Sequence, residues 1–377
     1  MRIGLETLSC DSRTGIGRIV RALAGAFTAR GHEVHVLAHD AGLHDDCIHV
    51  HRVTGFPRSK ALSKILYRVG EQRRLRRIRC NVTLSFGVGR GADVVAAQSC
   101  HRAGMEILQA HSLGDWEQPN LGLYDTVSLA DERALLTSRK TRRIIACSKL
   151  VKNQIVQHYG VEPDRIAVIP NGIVPCALDR SEEAVASLQK ELGITKKERV
   201  LLFTGNEFAR KGLQTVLEAM ARLAMPDLHL LVAGGGNIRP YERLAAALRL
   251  NGKVTFLGSV ETPERLFAIA DLFVFPTLYE PFGMVVLEAM AAGVPVITSK
   301  NCGAVEGMTH GLHGVFVDDP TSAGEVAEGM GTLLADESVR RRLSVEGRSK
   351  AGQFCWDSIA DRTVEVLESA STERWSR

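Results

Sequence analysis

Residues 200–212 have the sequence VLLFTGNEFARKG, and this stretch decides the fold class of the chain. An apolar run ends at Gly205, and two adjacent cations, Arg210 and Lys211, follow it before a helical pattern begins. A short apolar run bounded by glycine and followed by a helix is typical of a buried parallel strand. The stretch therefore predicts a strand–helix unit with charged groups at the carboxyl end of its strand.

The same alternation extends in both directions along the chain. Downstream, strands are predicted at 228–234, 254–258, 272–276 and 294–298. Upstream, strands are predicted after the N-terminus and at 34–38, 93–97, 143–148 and 166–169, with a helix over 17–30. Strands separated by helices predict βαβ units and parallel sheets, so the fold class is α/β.

A turn at Pro170-Asn171-Gly172-Ile173, followed by polar chain to about residue 198, predicts a linker between two doubly wound domains. We expect a first domain over 1–172 and a second over 173–354. Two such domains place a cleft between the carboxyl ends of their sheets, where open α/β sheets bind ligands. The architecture alone leaves dehydrogenases, phosphorylases, periplasmic binding proteins and sugar transferases open.

The composition excludes several classes of protein. The chain has 377 residues with 47 basic and 43 acidic side chains, a balance that does not indicate a polyanionic partner. Only 5% of the residues are aromatic, which disfavours nucleic acid as a partner. No apolar run approaches the roughly 18–20 residues of a membrane span, and no secretory signal is expected.

The cysteines favour a reduced, cytoplasmic protein. They contain no C-x-x-C pair and no Cys/His cluster at zinc spacing, so we expect no metal site. They stand at positions 10, 47, 80, 100, 147, 176, 302 and 355.

A first candidate ligand site follows the opening strand. In Thr14-Gly15-Ile16-Gly17-Arg18, glycine permits close approach of a ligand, and amides at the helix start can receive a phosphate. The dinucleotide fingerprint G-x-G-x-x-G fails, because Val20 stands where its last glycine is required. An ordinary strand–helix turn remains an alternative for this segment.

Two further candidates lie in the second domain. Arg210 offers a planar fork and Lys211 a compact charge, a pair that suits a diphosphate. The segment EPFGMVVLE places Glu280 before a predicted helix and Glu288 within it, so Glu288 could accept hydrogen bonds from a ribose diol. Free amides at Gly283 and the two residues after it could hold a phosphate.

Together these segments resemble the retaining glycosyltransferases of the GT-B fold, and specifically glycosyltransferase family 4. The resemblance is strongest in the second half, through IPNGI at 169–173, residues 205–212, and PTLYEPFGMVVLE at 276–288. Asn206-Glu207-Phe208 resembles the lipopolysaccharide core glucosyltransferase branch. The resemblance implies two Rossmann-like domains facing across a cleft, with residues 355–377 forming a helix that crosses back to the first domain.

The resemblance also implies residue roles. Arg210 and Lys211 match the pair that neutralises the donor diphosphate, and Glu280 matches the acid that touches the donor sugar. His101 lies where many relatives place a histidine beside the reacting sugar, although Gln98 or Asp93 stands where the lipopolysaccharide branch often has an acid. The implied catalytic residues are His101, Arg210, Lys211 and Glu280. The implied donor-binding residues are Gly15, Gly17, Gly205, Arg210, Lys211, Val260, Glu280, Phe282, Gly283, Met284, Val285 and Glu288.

The expected reaction is transfer of a hexose from a nucleotide sugar to a hydroxyl of a glycan or glycolipid, with glucose from UDP-glucose as the donor implied by the branch. No cofactor and no metal are expected, since the two cations and the helix amides replace a divalent ion. A small-molecule or natural-product acceptor remains an alternative, as does a nonenzymatic nucleotide-sugar-binding protein.

One further feature lies outside this site. Arginines crowd the segment Arg68–Arg79, with apolar residues between them, which predicts a basic amphipathic helix. Such a helix could dock peripherally on an anionic membrane surface or a phosphorylated glycolipid acceptor. A solvated helix face remains the alternative.

Overall fold

The computed structural model describes residues 1–39, 42, 47–53, 59–111, 122–174, 178 and 180–375. As far as the chain is described, it divides into two compact units. Unit 1 contains Met1–Glu106, Pro119–Gly172 and Phe354–Arg377, and unit 2 contains Ile107–Gln118 and Ile173–Gln353.

The strands are short, with three to six residues each, and most of them are buried. They are β1 (Arg2–Glu6), β2 (Glu33–Ala38), β3 (Ile48–Arg52), β4 (Val82–Ser85), β5 (Val94–Ala97), β6 (Arg143–Ala146), β7 (Ile166–Val168), β8 (Arg199–Thr204), β9 (Leu228–Ala233), β10 (Val254–Gly258), β11 (Leu272–Phe275), β12 (Val296–Ser299) and β13 (Val315–Val317).

Most of the helices lie between successive strands, and the last three follow the final strand. They are α1 (Gly15–Ala29), α2 (Lys60–Ile78), α3 (His101–Ala110), α4 (Leu123–Leu136), α5 (Lys149–Tyr159), α6 (Glu182–Leu192), α7 (Leu213–Leu223), α8 (Arg239–Ala247), α9 (Met284–Ala291), α10 (Ala323–Ala335), α11 (Glu337–Ala351) and α12 (Trp356–Trp375), with 3-10 turns at Pro163–Arg165, Pro263–Ala268 and Gly303–Val305.

Each unit contains one parallel sheet. The strand order is β3-β2-β1-β4-β5-β6-β7 in unit 1 and β10-β9-β8-β11-β12-β13 in unit 2. The order reverses between β1 and β4, and again between β8 and β11. Open α/β sheets bind ligands beside the carboxyl ends of the strands at such reversal points. The ends of β1, β4, β8 and β11 are therefore the places to search for a site.

Aromatic packing fixes the centre of the second sheet. Phe203 on β8 and Phe273 and Phe275 on β11 have no exposed surface. The ring centroids of Phe203 and Phe275 lie 6.0 Å apart, and those of Phe273 and Phe275 lie 5.7 Å apart. Burying one such side chain contributes about 1.5–3 kcal/mol, so this packing holds β8 and β11 side by side.

A helix occupies much of the polar chain after Ile173, which the sequence analysis described only as a linker. Ser181 accepts a hydrogen bond from the amide of Ala184 at 3.3 Å and so caps α6, while Leu188 is buried. The Ser-Glu-Glu start is a regular N-terminal helix signal. Strands β3, β4 and β13 were also absent from the sequence-based prediction.

The basic segment forms α2 as predicted, but those of its arginines whose side chains are described do not share one surface. Arg68 forms an ion pair with buried Asp131 on α4. Lys64 Nζ donates to Ser128 Oγ at 3.0 Å. Arg74 and Arg77 are exposed, whereas Arg79 follows the helix with φ 56°. Arg68 is therefore paired within unit 1, and docking through Arg68–Arg79 stays a prediction.

Two further expectations from the sequence concern membrane spans and disulfides. In the described part of the chain, no helix combines the length and the apolar character needed to cross a membrane. The seven described cysteines form no disulfide with one another, and Cys176 lies outside the described residues.

Helix α12 belongs to unit 1, where it packs on α1, β4 and β6.

Candidate functional site

The candidate site is built at the ends of β8 and β11. The loop after β8 carries Arg210 and Lys211, and the loop after β11 carries Glu280, about seventy positions further along the chain. Their meeting follows from the sheet, because β8 and β11 are hydrogen-bonded neighbours at the point of strand reversal. Backbone bonds join the two loops as well, with Leu278 N donating to Arg210 O at 2.8 Å.

Arg210 is held by two carboxylates. Its Nη2 donates to Glu207 Oε2 at 2.6 Å, and its Nη1 donates to Glu280 Oε2 at 3.3 Å and to the carbonyl of Tyr279. Burial disfavours the guanidinium charge, but the charges of Glu280 and Glu207 outweigh burial and raise the pKa of Arg210. The guanidinium is therefore a fixed positive charge with a set orientation.

Lys211 lies beside the same carboxylate. Its Nζ is 3.9 Å from Glu280 Oε2 and 5.2 Å from the centroid of the Phe275 ring, and only 15% of its side chain is exposed. Burial lowers the pKa of Lys211, although the charge of Glu280 opposes that shift. An incoming diphosphate would supply the negative charge that favours the ammonium form.

Glycines make room for this arrangement. A Cβ on Gly205, whose φ is 147°, would lie 2.4 Å from Lys211 Cδ and 2.6 Å from its Nζ. A Cβ on Gly212 would lie 2.1 Å from the carbonyl oxygen of Pro276. Gly205 therefore allows Lys211 to lie over the end of β8, and Gly212 allows the loops after β8 and β11 to touch.

Helix α9 begins beside these charges. Gly283 has φ 95° at the N-terminal cap, a left-handed conformation that favours glycine, and its Cβ would meet Cys302 Sγ at 2.6 Å. Phe282 is buried, whereas Met284 and Val285 are half-buried. Helix α9 begins four residues after Glu280, at Met284, and the first amides of a helix favour an anion. Glu288 is half-buried one turn further along α9.

Val260, one of the implied donor-binding residues, is half-buried two residues past the end of β10.

The residues predicted for the first domain lie in unit 1. Gly15 is the exposed first residue of α1. The Gly17 amide already donates to Thr14 Oγ1 at 3.0 Å, and a Cβ there would lie 2.0 Å from Asp11 O. Gly17 thus shapes the turn, and its role in donor binding stays a prediction.

His101 begins α3. Its Nε2 lies 3.1 Å from Asp125 Oδ1, and its backbone amide donates to Glu132 at 2.7 Å. Burial lowers the pKa of His101, and the carboxylate of Asp125 opposes this shift. The ring is therefore oriented by a carboxylate.

Gln98 and Asp93, which stand where the lipopolysaccharide branch often has an acid, are both hydrogen-bonded to other side chains of the chain. Gln98 Oε1 accepts from Asn171 Nδ2 at 2.8 Å. Asp93 Oδ2 accepts from the amide and the hydroxyl of Thr83, both at 3.1 Å.

Three residues that position the candidate site residues were not identified from the sequence. Asp125 and Glu132 position His101, and Glu207 holds Arg210. Glu207 could have been found, because it precedes Arg210 by three residues within one turn. Asp125 and Glu132 lie more than twenty positions from His101, and no local spacing marks them.

The arrangement is suited to binding an anion against two oriented cations next to a carboxylate that can accept hydrogen bonds from a sugar. Two family models match the chain on either side of residue 180. The model described as Glycosyltransferase Family 4 matches residues 13–175, and the model described as Glycosyl transferases group 1 matches residues 185–350.

Curated relatives agree with these models. An uncharacterized glycosyltransferase of Methanocaldococcus jannaschii is 34% identical over 257 residues, which are 66% of each chain. The lipopolysaccharide glucosyltransferase WaaG of Escherichia coli is 28% identical over 246 residues, 63% of this chain and 65% of the relative. The matched segments thus span somewhat less than two thirds of these relatives.

Solved structures show the same fold over almost the full chain. The crystal structure of WaaG has a TM-score of 0.80 at 24% identity and covers 97% of this chain and 99% of that one. Anabaena HepE in complex with UDP-glucose has a TM-score of 0.75 at 20% identity, with 98% and 100% covered. Both are similar to this chain in having two Rossmann-like domains.

The fold and the two matched family models together identify the class of protein to which this chain belongs. The chain belongs to the GT-B glycosyltransferases, with the family 4 model over its first half and the group 1 model over its second. The predicted resemblance and the predicted fold class are confirmed.

Proposed function

We propose that this chain is a retaining hexosyltransferase that moves glucose from UDP-glucose to a hydroxyl of a glycan or glycolipid, such as lipopolysaccharide core. One observation supports the proposal most strongly: Arg210 and Lys211 converge on Glu280 at the strand reversal of unit 2. The likeness to a lipopolysaccharide glucosyltransferase and to a UDP-glucose complex supports this choice of donor and acceptor.

The proposed chemistry follows from these charges. The bond between the sugar C1 and the diphosphate oxygen breaks, and negative charge grows on that oxygen. Arg210, Lys211 and the first amides of α9 stabilise the charge without having to reorganise. Glu280 accepts hydrogen bonds from the sugar hydroxyls, and Glu288 accepts them from the ribose.

The acceptor oxygen forms the new bond to C1 on the face that the diphosphate leaves, which retains the configuration. Its proton passes to the departing phosphate oxygen. His101, oriented by Asp125, lies beside the reacting sugar in this proposal. No step requires a divalent cation.

The donor is tested by a thermal shift panel with UDP-glucose, UDP-galactose, GDP-mannose and ADP-glucose. A ligand that binds the folded state raises the melting temperature by mass action, and we expect the largest rise with UDP-glucose. A larger rise with another donor would contradict the choice of UDP-glucose.

The stereochemistry is tested by proton NMR of the product. An α-linked glucoside from UDP-α-glucose is the expected result, and a β-linked product would contradict retention. Truncated lipopolysaccharide core, compared with small phenolic alcohols, separates the glycan acceptor from the natural-product alternative.

A further inference from the structure

A group of histidines lies on the first sheet, within unit 1 and outside the residues described above. Strands β2 and β3 pair in parallel at its edge, with His35 opposite His49 and Leu37 opposite His51. The segments Glu33-Val34-His35 and His49-Val50-His51 alternate with the period of a strand. Because alternate residues share a face, all four polar side chains project from one side of the sheet.

Three of these side chains converge. One ligand atom from each of Glu33, His35 and His49 lies within 4.8 Å of the other two. His35 Nε2 lies 3.0 Å from Glu33 Oε1, and the rings of His35 and His49 stack with centroids 4.8 Å apart. In the part of the chain that the structure describes, no other three side chains of the ligating types meet in this way.

We propose that Glu33, His35 and His49 form a binding site for a divalent transition-metal ion, with Zn²⁺ as the reference ion. Two imidazoles and a carboxylate are the donor set that Zn²⁺ and its first-row neighbours accept, and water can complete a tetrahedron. Ligand bonds of about 2.0–2.1 Å place neighbouring donors roughly 3.3 Å apart. The Glu33–His35 pair already has nearly that separation.

The other pairs can reach this geometry by side-chain rotation. Glu33 and His49 are exposed, whereas His35 is buried and fixed in place. Glu33 contacts Arg2 and His35, and a rotation of its side chain exchanges the His35 hydrogen bond for a bond to the ion. The site therefore combines one rigid ligand with two adjustable ones, both on strands held in register by backbone hydrogen bonds.

Neighbouring groups support the ligands. His51 Nε2 lies 2.9 Å from His35 Nδ1, so the nitrogen of His35 that does not face Glu33 has an imidazole partner. Arg2 Nε lies 2.9 Å from Glu33 Oε2, which leaves Oε1 for the ion. Metal-bound histidines and carboxylates regularly have such outer partners, which fix the ring orientation.

The charges around the site determine how tightly we expect it to bind a metal ion. The cations Arg2 and Arg74 act against a further positive charge. We therefore expect affinity in the micromolar range, well short of a closed structural zinc site with thiolate ligands.

The test uses the full chain without an affinity tag, after chelator treatment and desalting. Titration with Co²⁺ is expected to give visible absorption bands of a tetrahedral complex, saturating at one ion per chain. Calorimetry with Zn²⁺ is expected to give the same stoichiometry, and Zn²⁺ is expected to raise the melting temperature.

His49→Gln and Glu33→Gln are each expected to weaken Zn²⁺ binding at least about tenfold. Both residues are exposed, so their replacement does not open the core, and circular dichroism checks the fold. His158→Gln is the control, because His158 lies 3.8 Å from Glu106 and, among the described residues, no third ligating side chain joins that pair. It is expected to leave Zn²⁺ binding unchanged.

Absence of saturable binding to the wild type would overturn the proposal and identify the cluster as hydrogen-bonded histidines only. Equal affinity in the wild type and both variants would overturn it too. No nucleotide sugar enters these measurements, so their outcome is independent of the proposed transferase activity.

Discussion

The position of the Lys211 side chain depends on Gly205. Gly205 leaves room for the lysine stem at the end of β8, and the ammonium lies between the Glu280 carboxylate and the face of Phe275. In this position the charge is partly removed from water, so its interaction with a departing diphosphate is stronger than that of an exposed lysine.

The first prediction concerns Lys211→Ala. Loss of one preorganised donor to the leaving group typically costs about 3 kcal/mol, so turnover is expected to fall at least about a hundredfold. Lys253→Ala is the control, since Lys253 also lies in unit 2 and donates to a carbonyl, that of Met225, at 3.0 Å. A folded Lys211→Ala enzyme with near-normal turnover would refute the assignment to the leaving group.

A second residue-scale feature is the buried carboxyl pair Glu6 and Glu71. Glu6 ends β1 and has no exposed surface, and Glu71 projects from α2. A Cβ on Gly89 would lie 2.7 Å from Glu6 Oε2 and 2.5 Å from Glu71 Oε2. Burial, together with the neighbouring charge of Glu71, raises the pKa of Glu6 well above its usual range.

The pair predicts a pH-dependent stability. In the unfolded chain Glu6 ionises near pH 4.3, whereas in the folded chain it keeps its proton to a higher pH. The folded state then binds more protons than the unfolded state, so the free energy of unfolding falls as pH rises above about 4.3. The slope from one such group is up to about 1.4 kcal/mol per pH unit.

Glu6→Gln removes this contribution. Urea unfolding between about pH 4.5 and 7 is expected to show a flatter pH dependence in the variant than in the wild type. Parallel curves for the two proteins would show that Glu6 is ionised in the folded state, contrary to this account.

Single residues also show what the sequence alone could and could not predict. Arg210, Lys211 and Glu280 stand in two short motifs, so their types and spacing could be recognised locally. Asp125, and the grouping of His35 with His49, depend on which elements become neighbours. The His-Val-His alternation of β3 was a visible signal, but its partner strand could not be known before the register.

At the scale of elements, the strand reversal of unit 2 makes the site. Arg210 and Glu280 meet only because β8 and β11 pair, and the packing of Phe203 and Phe275 supports that pairing. Apolar runs predicted these strands, since both are fully buried. The edge strand β3 alternates His with apolar residues, and β4 contains Thr83 and Ser85, so neither strand is the continuous apolar run that marked the others.

Helix α2 supports a third prediction, on membrane docking. Arg74 and Arg77 are exposed, and each cation near an anionic surface contributes about 1 kcal/mol. Replacing Arg73, Arg74, Arg76 and Arg77 with Gln is expected to abolish co-sedimentation with anionic vesicles at low salt and to spare turnover on a soluble acceptor. High salt is expected to weaken binding of the wild type too.

The control replaces Arg341 and Arg342 of α11, which are equally exposed, with Gln. Unchanged vesicle binding in the α2 variant would exclude docking through this helix. A loss of acceptor affinity without lipid would instead assign the arginines to the acceptor.

At the scale of the whole molecule, two parallel sheets with a strand reversal each explain why the fold could be predicted and the substrates could not. Alternating apolar runs and helices specify doubly wound sheets. Donor and acceptor choice depends on a few side chains at the strand ends, and the same fold accommodates many sugars.

The fourth prediction is metal independence of transfer. Arg210, Lys211 and the amides of α9 supply the positive potential that a divalent ion supplies in other transferases. Activity in excess chelator is expected to equal activity in Mg²⁺ or Mn²⁺. Loss of activity in chelator with recovery on adding Mg²⁺ or Mn²⁺ would contradict the role given to the two cations.

The central claim is that this GT-B chain transfers a hexose from a nucleotide sugar through Arg210, Lys211 and Glu280. Acceptor-dependent release of UDP from UDP-glucose tests it most directly, with the wild type, Lys211→Ala and Lys253→Ala run side by side on truncated lipopolysaccharide core. We predict release by the wild type and by Lys253→Ala, and a rate at least about a hundredfold lower for Lys211→Ala. Folded wild type that releases no UDP with any glycan acceptor, or equal rates for all three proteins, would contradict the account.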